Sequence, residues 1–214
     1  MSVIPAPRKR RKEDRPSELL GAALLLFVEK GFTATRLEDV AAKAGVSKGT
    51  LYLYYENKEA LFKAVIQEGV IPIIAENEAI AAKHTSSSFD LLEKLLDNWW
   101  TKIGQTAFAG IPKLMVAEAR NFPELATFYY ENVINRSRAL VGSTLRRGMN
   151  SGEFRQMDVD TTIDVLIAPI LMLLIWRFSM NCCQGSQTDP QHYLQIHMDI
   201  LRQGLRRLEK ESQV

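Results

Sequence analysis

The chain has 214 residues, of which 46% are hydrophobic and 24% charged, as in an ordinary soluble globular protein. The net charge of +2 is unevenly distributed, because residues 1–70 contain 12 Lys or Arg against 9 Asp or Glu. Much of this basic excess lies in Arg8–Lys12 and suits a polyanionic partner. The two cysteines, Cys182 and Cys183, are adjacent, which excludes a disulfide-rich secreted fold and fits a reducing compartment.

Neither a secretory leader nor a membrane span is predicted. The basic N-terminal residues are followed by Glu13, Asp14 and Pro16 rather than by an apolar run. The longest apolar run, Val165–Trp176, has 12 residues and contains Pro169, so we interpret it as a buried core helix. We therefore expect a cytoplasmic protein without a membrane partner.

The N-terminal part is predicted to form an arm followed by short helices. Residues 1–15 are polar and charged, which is typical of a disordered arm. A first helix ends at Gly31, since glycine adopts the left-handed conformation that ends helices. Thr35 and Glu38 have the spacing of a capping box, which predicts a short second helix ending at Gly45.

Two more helices are predicted before the chain changes character. Ser47 can cap a short third helix that extends to about Tyr54, and Asn57 can cap a long fourth one. Pro72 lies inside the fourth helix, where it lacks the N–H for the helical hydrogen bond, so a kink is expected there. We place the domain junction at residues 60–72.

The rest of the chain also has helical periodicity, with little strand-like alternation. The predicted helices span residues 89–103, 110–120, 123–149, Asp158 or Asp160 to Asn181, and 193–208. The expected fold is therefore all-α, with about nine helices.

The second and third helices have the pattern of a helix-turn-helix. Gly45 permits the tight turn between them, and Val46 and Leu51 are apolar groups for the wedge that the two helices enclose. A plain structural helix pair remains the alternative. In a DNA-binding pair, the N-terminal end of the second helix meets base edges in the major groove. The outward side chains there would be those of Ser47, Lys48, Gly49, Thr50, Tyr52 and Tyr54.

One segment resembles the DNA-binding domain of the tetracycline-repressor (TetR) family over residues 17–66. The resemblance is carried by Gly31-Phe32-Thr33-Ala34-Thr35-Arg36 and by Val46-Ser47-Lys48-Gly49-Thr50-Leu51-Tyr52-Leu53-Tyr54-Tyr55-Glu56-Asn57-Lys58-Glu59-Ala60-Leu61. Ala117-Glu118-Ala119-Arg120 with Phe122-Pro123-Glu124-Leu125 also resembles a turn found in many members. The resemblance implies a helix-turn-helix DNA-binding domain over residues 16–66 and a helical effector-binding and dimerisation domain over residues 67–214.

The resemblance also implies roles for individual residues toward double-stranded DNA. Phosphate contacts are implied for Thr35, Arg36 and Lys58; contacts to bases or adjacent phosphates for Ser47, Lys48, Gly49 and Thr50; packing on sugar and phosphate for Tyr52 and Tyr54. Leu53 and Tyr54 depart from the usual residues, which leaves their contacts open. The basic arm is either a solvated tail or a segment that contacts phosphates or the minor groove.

A homodimer and a small-molecule effector are the other expected partners. The family implies that the last two helices, Val159–Met180 and Tyr193–Leu208, form the dimer interface, and their apolar surface fits this hypothesis. Aromatic residues in the later helices are either core or the lining of a pocket for an apolar or amphipathic effector. The pocket residues expected on the second interpretation are Trp99, Met115, Tyr129 and Trp176.

Catalytic residues, cofactors and metals are not expected. His192 and His197 with Cys182 and Cys183 lack a familiar zinc spacing, and a redox switch at either cysteine has no further support. Three functions remain open: a ligand-released repressor on a palindromic operator, an effector-independent nucleoid or division protein, and an all-helical enzyme or carrier that no longer binds DNA. The presence of Thr35, Lys48, Tyr52 and Lys58 argues against the third.

Overall fold

The structure, a computed structural model, describes residues 15–180 and 188–207. Across these two ranges the ordered elements are helices, apart from a single bridge between Phe154 and Arg206. The predicted all-α fold is confirmed. Residues 1–14 of the predicted arm and the cysteines Cys182 and Cys183 lie outside the described residues, so the predictions made for them remain predictions, whereas Arg15 is the first residue of a helix.

The α-helices of the described residues are, in chain order, α1 (Arg15–Lys30), α2 (Leu37–Ala44), α3 (Lys48–Tyr52), α4 (Lys58–Gly69), α5 (Ile71–Lys83), α6 (Ser88–Trp99), α7 (Ile111–Glu118), α8 (Pro123–Tyr129), α9 (Asn135–Asn150), α10 (Val159–Ser179) and α11 (Pro190–Leu205). A π-helical turn, Trp100–Gly104, follows α6, and a 3-10 turn, Ala107–Gly110, precedes α7. A second π-helical turn, Tyr130–Ile134, joins α8 to α9. The chain forms two compact units, Met1–Ile66 and Gln67–Val214.

The first unit is held by a cluster of three fully buried aromatic rings. The Phe27 ring lies 5.4 Å from that of Phe32 and 5.5 Å from that of Phe62, between ring centroids. Phe62 meets both other rings edge to face, an arrangement that contributes beyond simple burial. Because these rings come from α1, the loop after it and α4, their contacts hold these three segments together.

The turns of the first unit follow the predicted glycine signals. Gly31 and Gly45 both have positive φ, 85° and 68°, and each ends a helix. At Gly45 the next amide, Val46 N–H, donates to the Ala41 carbonyl at 3.0 Å, which satisfies a free carbonyl of α2. The predicted capping box at Thr35 is wrong, because the residue at the cap position of α2 is Arg36 and its side chain makes no capping bond.

The long fourth helix predicted from sequence is two helices, α4 and α5, which are interrupted at Val70. Pro72 lies in the first turn of α5, where its missing N–H costs no helical bond. The Val70 carbonyl accepts from Ile73 N at 3.1 Å and from Ile74 N at 3.3 Å, which starts the new helix. Proline at this position therefore ends one helix and begins another instead of kinking a continuous one.

The second unit has two apolar clusters. One packs α6, α9, α10 and α11 around Phe89, Leu145, Phe154 and Ile163. The other surrounds Trp100 with Ala109, Leu173, Leu174 and Leu194. α10 contributes to both clusters, so it is the central packing element of the unit.

The interpretation of α10 as a buried core helix is wrong for a single protomer. Helix α10 has 21 residues, and only 22% of its most apolar stretch is buried. By length and composition alone it is the one helix of the described residues that could cross a membrane, which is weak evidence of a span. One side of α10 is therefore an apolar surface that the single protomer leaves exposed.

His197 is expected to make the second unit less stable in acid. Its Nε2 lies 3.0 Å from the Leu166 carbonyl of α10, and burial lowers the pKa of the imidazole more than this bond raises it. The unfolded chain therefore binds the proton more tightly, and stability is lost as pH falls from about 6.5 through the lowered folded pKa. Thermal melts at pH 7.5 and 5.5 should show a larger drop for wild type than for His197→Gln; equal drops would contradict this expectation.

Candidate nucleic-acid interface

Helix α3 is short, and local bonds fix its first turn. The Ser47 hydroxyl oxygen accepts a hydrogen bond from Thr50 N–H at 3.1 Å and lies 2.9 Å from the Thr50 hydroxyl. Leu51 is fully buried and anchors the helix from below. Ser47 therefore caps the helix as predicted, and the first turn of α3 presents a fixed polar end to solvent.

The outer side of α3 is open at Gly49. A Cβ built on Gly49 would meet only the Ser47 hydroxyl oxygen, at 3.9 Å. Lys48 and Tyr52 flank this position and are exposed, whereas Thr50 is half-buried. A ligand can therefore approach the backbone of the first turn closely, with polar side chains on both sides. In the major groove, a base edge approaches the first turn of a recognition helix in this way.

Lys48 is held by an ion pair across the helix-turn-helix. Its Nζ lies 2.5 Å from Oε1 of Glu38 in α2 and 5.7 Å from the centre of the Tyr52 ring. A hydrogen bond from Lys48 lowers the pKa of the Glu38 carboxyl and raises that of Lys48 itself. Both side chains are about half exposed, so this pair is weak and can exchange for a phosphate.

The Thr35 and Lys58 side chains, for which phosphate contacts are predicted, form hydrogen bonds within the first unit, and those phosphate contacts stay predictions. Thr35 is 1% exposed, and its hydroxyl donates inward to the carbonyls of Gly31 at 2.7 Å and Leu26 at 3.1 Å. The Lys58 ammonium donates to the carbonyls of Phe32, Thr33 and Thr35 at 2.6–3.1 Å. Those three bonds use the three ammonium donors, so both residues fix the loop between α1 and α2.

The remaining predicted contacts stay predictions. Arg36 is exposed at the N-terminal end of α2, a position that suits a phosphate. Tyr54 is half-buried, with its ring 6.5 Å from that of Tyr55. Leu53, which sequence reasoning left open, is 83% exposed directly after α3. An uncovered leucine beside a polar helix end is suited to apolar contact with a thymine methyl group.

Both units match models of one protein family. Residues 19–65 match the model for bacterial regulatory proteins of the tetR family. Residues 85–179 match the tetracyclin repressor-like C-terminal domain. The chain belongs to the TetR family. Because that family consists of transcriptional regulators, the helix-turn-helix of this chain is a DNA-binding element and not a plain structural pair.

Relatives of known name support this membership along most of the chain. The HTH-type transcriptional repressor KstR2 of Rhodococcus jostii is 27% identical over 203 residues, which cover 94% of the chain and 98% of that protein. The structure of KstR2 from Mycobacterium tuberculosis has a TM-score of 0.73 at 22% identity. The similarity covers 92% of this chain and 98% of the KstR2 chain. FadR from Bacillus subtilis, solved with stearoyl-CoA, has a TM-score of 0.69 at 18% identity. The similarity covers 89% of this chain and 99% of the FadR chain.

The residues predicted to line an effector pocket in this TetR-family chain are in different environments. Met115 of α7 and Tyr129 of α8 are buried, and burial alone raises the pKa of the Tyr129 phenol. Trp99 is half-buried against the Trp100 cluster. Trp176 is half exposed on α10, and its predicted contact with an effector stays a prediction. Sequence reasoning missed Trp100, the most buried of the three tryptophans.

Charge removal at Glu38 is expected to strengthen binding to any duplex. Glu38→Gln keeps the size of the side chain, frees Lys48 for a phosphate and removes a carboxylate from the DNA-facing side. We expect affinity to rise up to about fivefold at low salt and the salt dependence to steepen by about one released counterion per protomer. Asp39→Asn is the matched control, because Asp39 pairs with Lys30 on α1 at 3.2 Å and its loss changes net charge equally. Equal effects of both variants in a salt-series titration would contradict the Lys48 exchange.

Proposed function

We propose that this protein is a cytoplasmic, sequence-specific transcriptional repressor that binds a palindromic operator as a homodimer and leaves it when a small apolar or amphipathic effector binds. The observation that carries the proposal is the first turn of α3, capped by Ser47 and open at Gly49, in a chain that belongs to the TetR family. Arg36, Lys48 and Tyr52 flank this turn with groups that suit phosphate and sugar.

The homodimer is supported by one apolar face on α10 and α11, which we call the α10–α11 face. It consists of Val165, Met172, Trp176, Ile196 and Ile200, each 47–64% exposed. Exposed apolar surface of this extent on neighbouring helices is typical of an interface. Two helices from each protomer can close as a four-helix packing around a two-fold axis. Recognition helices held in this way would reach half-sites about 34–36 Å apart.

An apolar or amphipathic effector is supported by the interior of the second unit and by a relative. The unit buries Met115, Tyr129 and Trp100 among aliphatic side chains. FadR of Bacillus subtilis, a structure of the same fold, was solved with stearoyl-CoA, which is amphipathic. A ligand that binds more tightly to the dimer arrangement that does not fit DNA shifts the population toward that arrangement. The size of the shift is set by the difference between the affinities of the ligand for the two arrangements.

A contact at the end of α4 is suited to transmit effector binding. A Cβ built on Gly69 would lie 2.0 Å from Cζ of Phe108, so the ring occupies the space that any other residue would need. Phe108 lies in the 3-10 turn before α7, and Gly69 is the last residue of α4, the helix that begins in the DNA-binding unit. A shift of that turn would therefore move the C-terminal end of α4.

Gly69→Ala is expected to uncouple DNA affinity from the effector, because the added methyl forces Phe108 away from α4. We expect the affinity of the variant for DNA to differ from that of wild type by about tenfold, which corresponds to a coupling free energy within the usual range. We also expect stearoyl-CoA to release the variant from DNA only weakly. Gly69→Ala with Phe108→Leu, which makes room for the methyl, should restore part of the response. A response equal to wild type in Gly69→Ala would remove this contact from the mechanism.

Selection from a randomised DNA library tests the repressor proposal itself. A repressor should enrich one inverted repeat, and stearoyl-CoA or another amphipathic probe should release that DNA in an anisotropy assay. Binding without an enriched sequence, unaffected by such probes, would instead support an effector-independent nucleoid or division protein. Because the library contains all short sequences, the outcome does not depend on knowing the regulated gene.

A further inference from the structure

The indole of Trp100 is a buried donor without an acceptor in the described part of the chain. Trp100 is 5% exposed, and its ring packs with Ala109, Leu173 and Leu174. Its Nε1–H has no hydrogen-bond partner within the residues that the structure describes. A buried tryptophan N–H usually finds a partner, because leaving it unpaired costs the full desolvation of the group. An orphan donor of this kind requires an explanation.

The backbone around Trp100 is also unusual. The helix widens into a π-helical turn over Trp100–Gly104, and Gln105 N–H donates to the Trp100 carbonyl at 2.8 Å. Such turns are rare and occur frequently at functional sites. Gly104 lies directly under the ring, since a Cβ there would be 2.2 Å from Cε3 of Trp100. The widened turn and the glycine therefore seat the indole in this position.

The π-helical turn, the glycine and the unpaired N–H are each unfavourable for stability. A π-helical turn weakens a helix, a glycine inside a helix lowers its stability, and a buried unpaired N–H costs free energy. Local features that oppose stability and coincide at one residue are typical of a functional site. Trp100 lies in the unit for which an effector is proposed, so a ligand is the group that would complete the arrangement.

We propose that Trp100 Nε1–H donates a hydrogen bond to an oxygen acceptor of the effector, and that the rest of the effector packs against the apolar cluster around the ring. This inference rests on the proposed ligand response. The indole is only a donor, so a pure hydrocarbon or a molecule with donors alone does not fit. A ketone, a thioester and a carboxylate share the required chemistry. Trp100 therefore selects apolar molecules that carry an oxygen acceptor over hydrocarbons of the same length.

The test follows the indole N–H signals of the full-length protein by nuclear magnetic resonance. The chain has three tryptophans, so Trp99→Phe and Trp176→Phe assign the signal of Trp100 by elimination. The probes are undecan-2-one, undecanoate and n-undecane, which have the same number of carbons and differ in their oxygen. We expect the ketone or the carboxylate to move the Trp100 indole proton downfield, and undecane not to do so. The first two probes distinguish a neutral from an anionic acceptor.

Affinity measurements on variants complete the test. Trp100→Phe removes the donor and keeps an aromatic ring, so it should weaken binding of the oxygenated probe about tenfold. Val116→Ala, at an exposed position of α7 outside the cluster, is the control and should leave that affinity unchanged. Absence of a downfield shift with both oxygenated probes up to their solubility would overturn the inference, and this result needs no Trp100 variant to fold. DNA anisotropy in the same samples separates the proposals: binding at Trp100 without DNA release contradicts only the ligand-released repressor.

Discussion

Replacing Gly49 with leucine is expected to abolish specific DNA binding while the protein stays folded. Space is open around this position, since a new Cβ would meet only the Ser47 hydroxyl oxygen, at 3.9 Å. Replacing a helical glycine also favours the helix by roughly 0.5–1 kcal/mol. The leucine would, however, separate the first turn of α3 from the base edges in both half-sites. We expect affinity for the selected operator to fall by about a hundredfold or more, with an unchanged or higher melting temperature.

Gly21→Leu is the matched control for this experiment. Gly21 is exposed on α1, and a Cβ built there would have no neighbour within 4 Å. Both variants add the same side chain to an exposed helical glycine, and only Gly49 lies on α3. DNA titration and thermal melting of both proteins suffice. Wild-type DNA affinity in Gly49→Leu would exclude α3 as the recognition helix.

Ile200→Glu combined with Met172→Glu is expected to convert the proposed dimer into monomers. The two residues lie on the α10–α11 face, and both are exposed in the single protomer, so the folded monomer accepts the charges. In the proposed dimer each carboxylate would be buried without a partner, which is strongly unfavourable. We expect sedimentation to detect monomers at micromolar concentration. Affinity for the palindromic site should fall by about a hundredfold or more, with half-site affinity unchanged.

Val116→Glu is the control for the dimer experiment. Val116 lies on α7, outside the α10–α11 face, and is 74% exposed. A charge at this position should leave both the sedimentation and the DNA affinity of the dimer unchanged. A stable dimer in the Ile200→Glu, Met172→Glu variant would place the interface elsewhere on the molecule.

Features that depend on neighbouring residues in the chain could be predicted from sequence. Ser47 caps α3, and Asn57 Oδ1 accepts from Ala60 N–H at 2.7 Å, because capping is a local bond between a side chain and a backbone N–H close in sequence. Gly31 and Gly45 mark helix ends because their conformation is difficult for other residues. The helix-turn-helix is built from such signals. Of the side chains predicted to point outward, Ser47, Lys48, Gly49 and Tyr52 are exposed, whereas Thr50 and Tyr54 are half-buried.

Features that depend on contacts between distant residues could not be predicted. Lys58 donates hydrogen bonds to carbonyls more than 20 residues away in the chain. Its position in the sequence therefore does not show whether its side chain contacts DNA or holds the loop between α1 and α2. Helix α10 is apolar over most of its length, so periodicity does not indicate which face α11 covers or that the Trp176 side chain is half exposed. The π-helical turn over Trp100–Gly104 has no signature in the periodicity or the capping residues of the sequence.

The measurement that tests the central claim most directly is fluorescence anisotropy of the full chain on DNA from immediately upstream of its own gene. A scrambled duplex of the same composition is the control, and both are titrated across a salt series. A sequence-specific repressor that controls its own gene should prefer the upstream DNA by about a thousandfold. Equal affinity for both duplexes, lost with the same steep salt dependence, would show only phosphate contacts and contradict specific binding at this site.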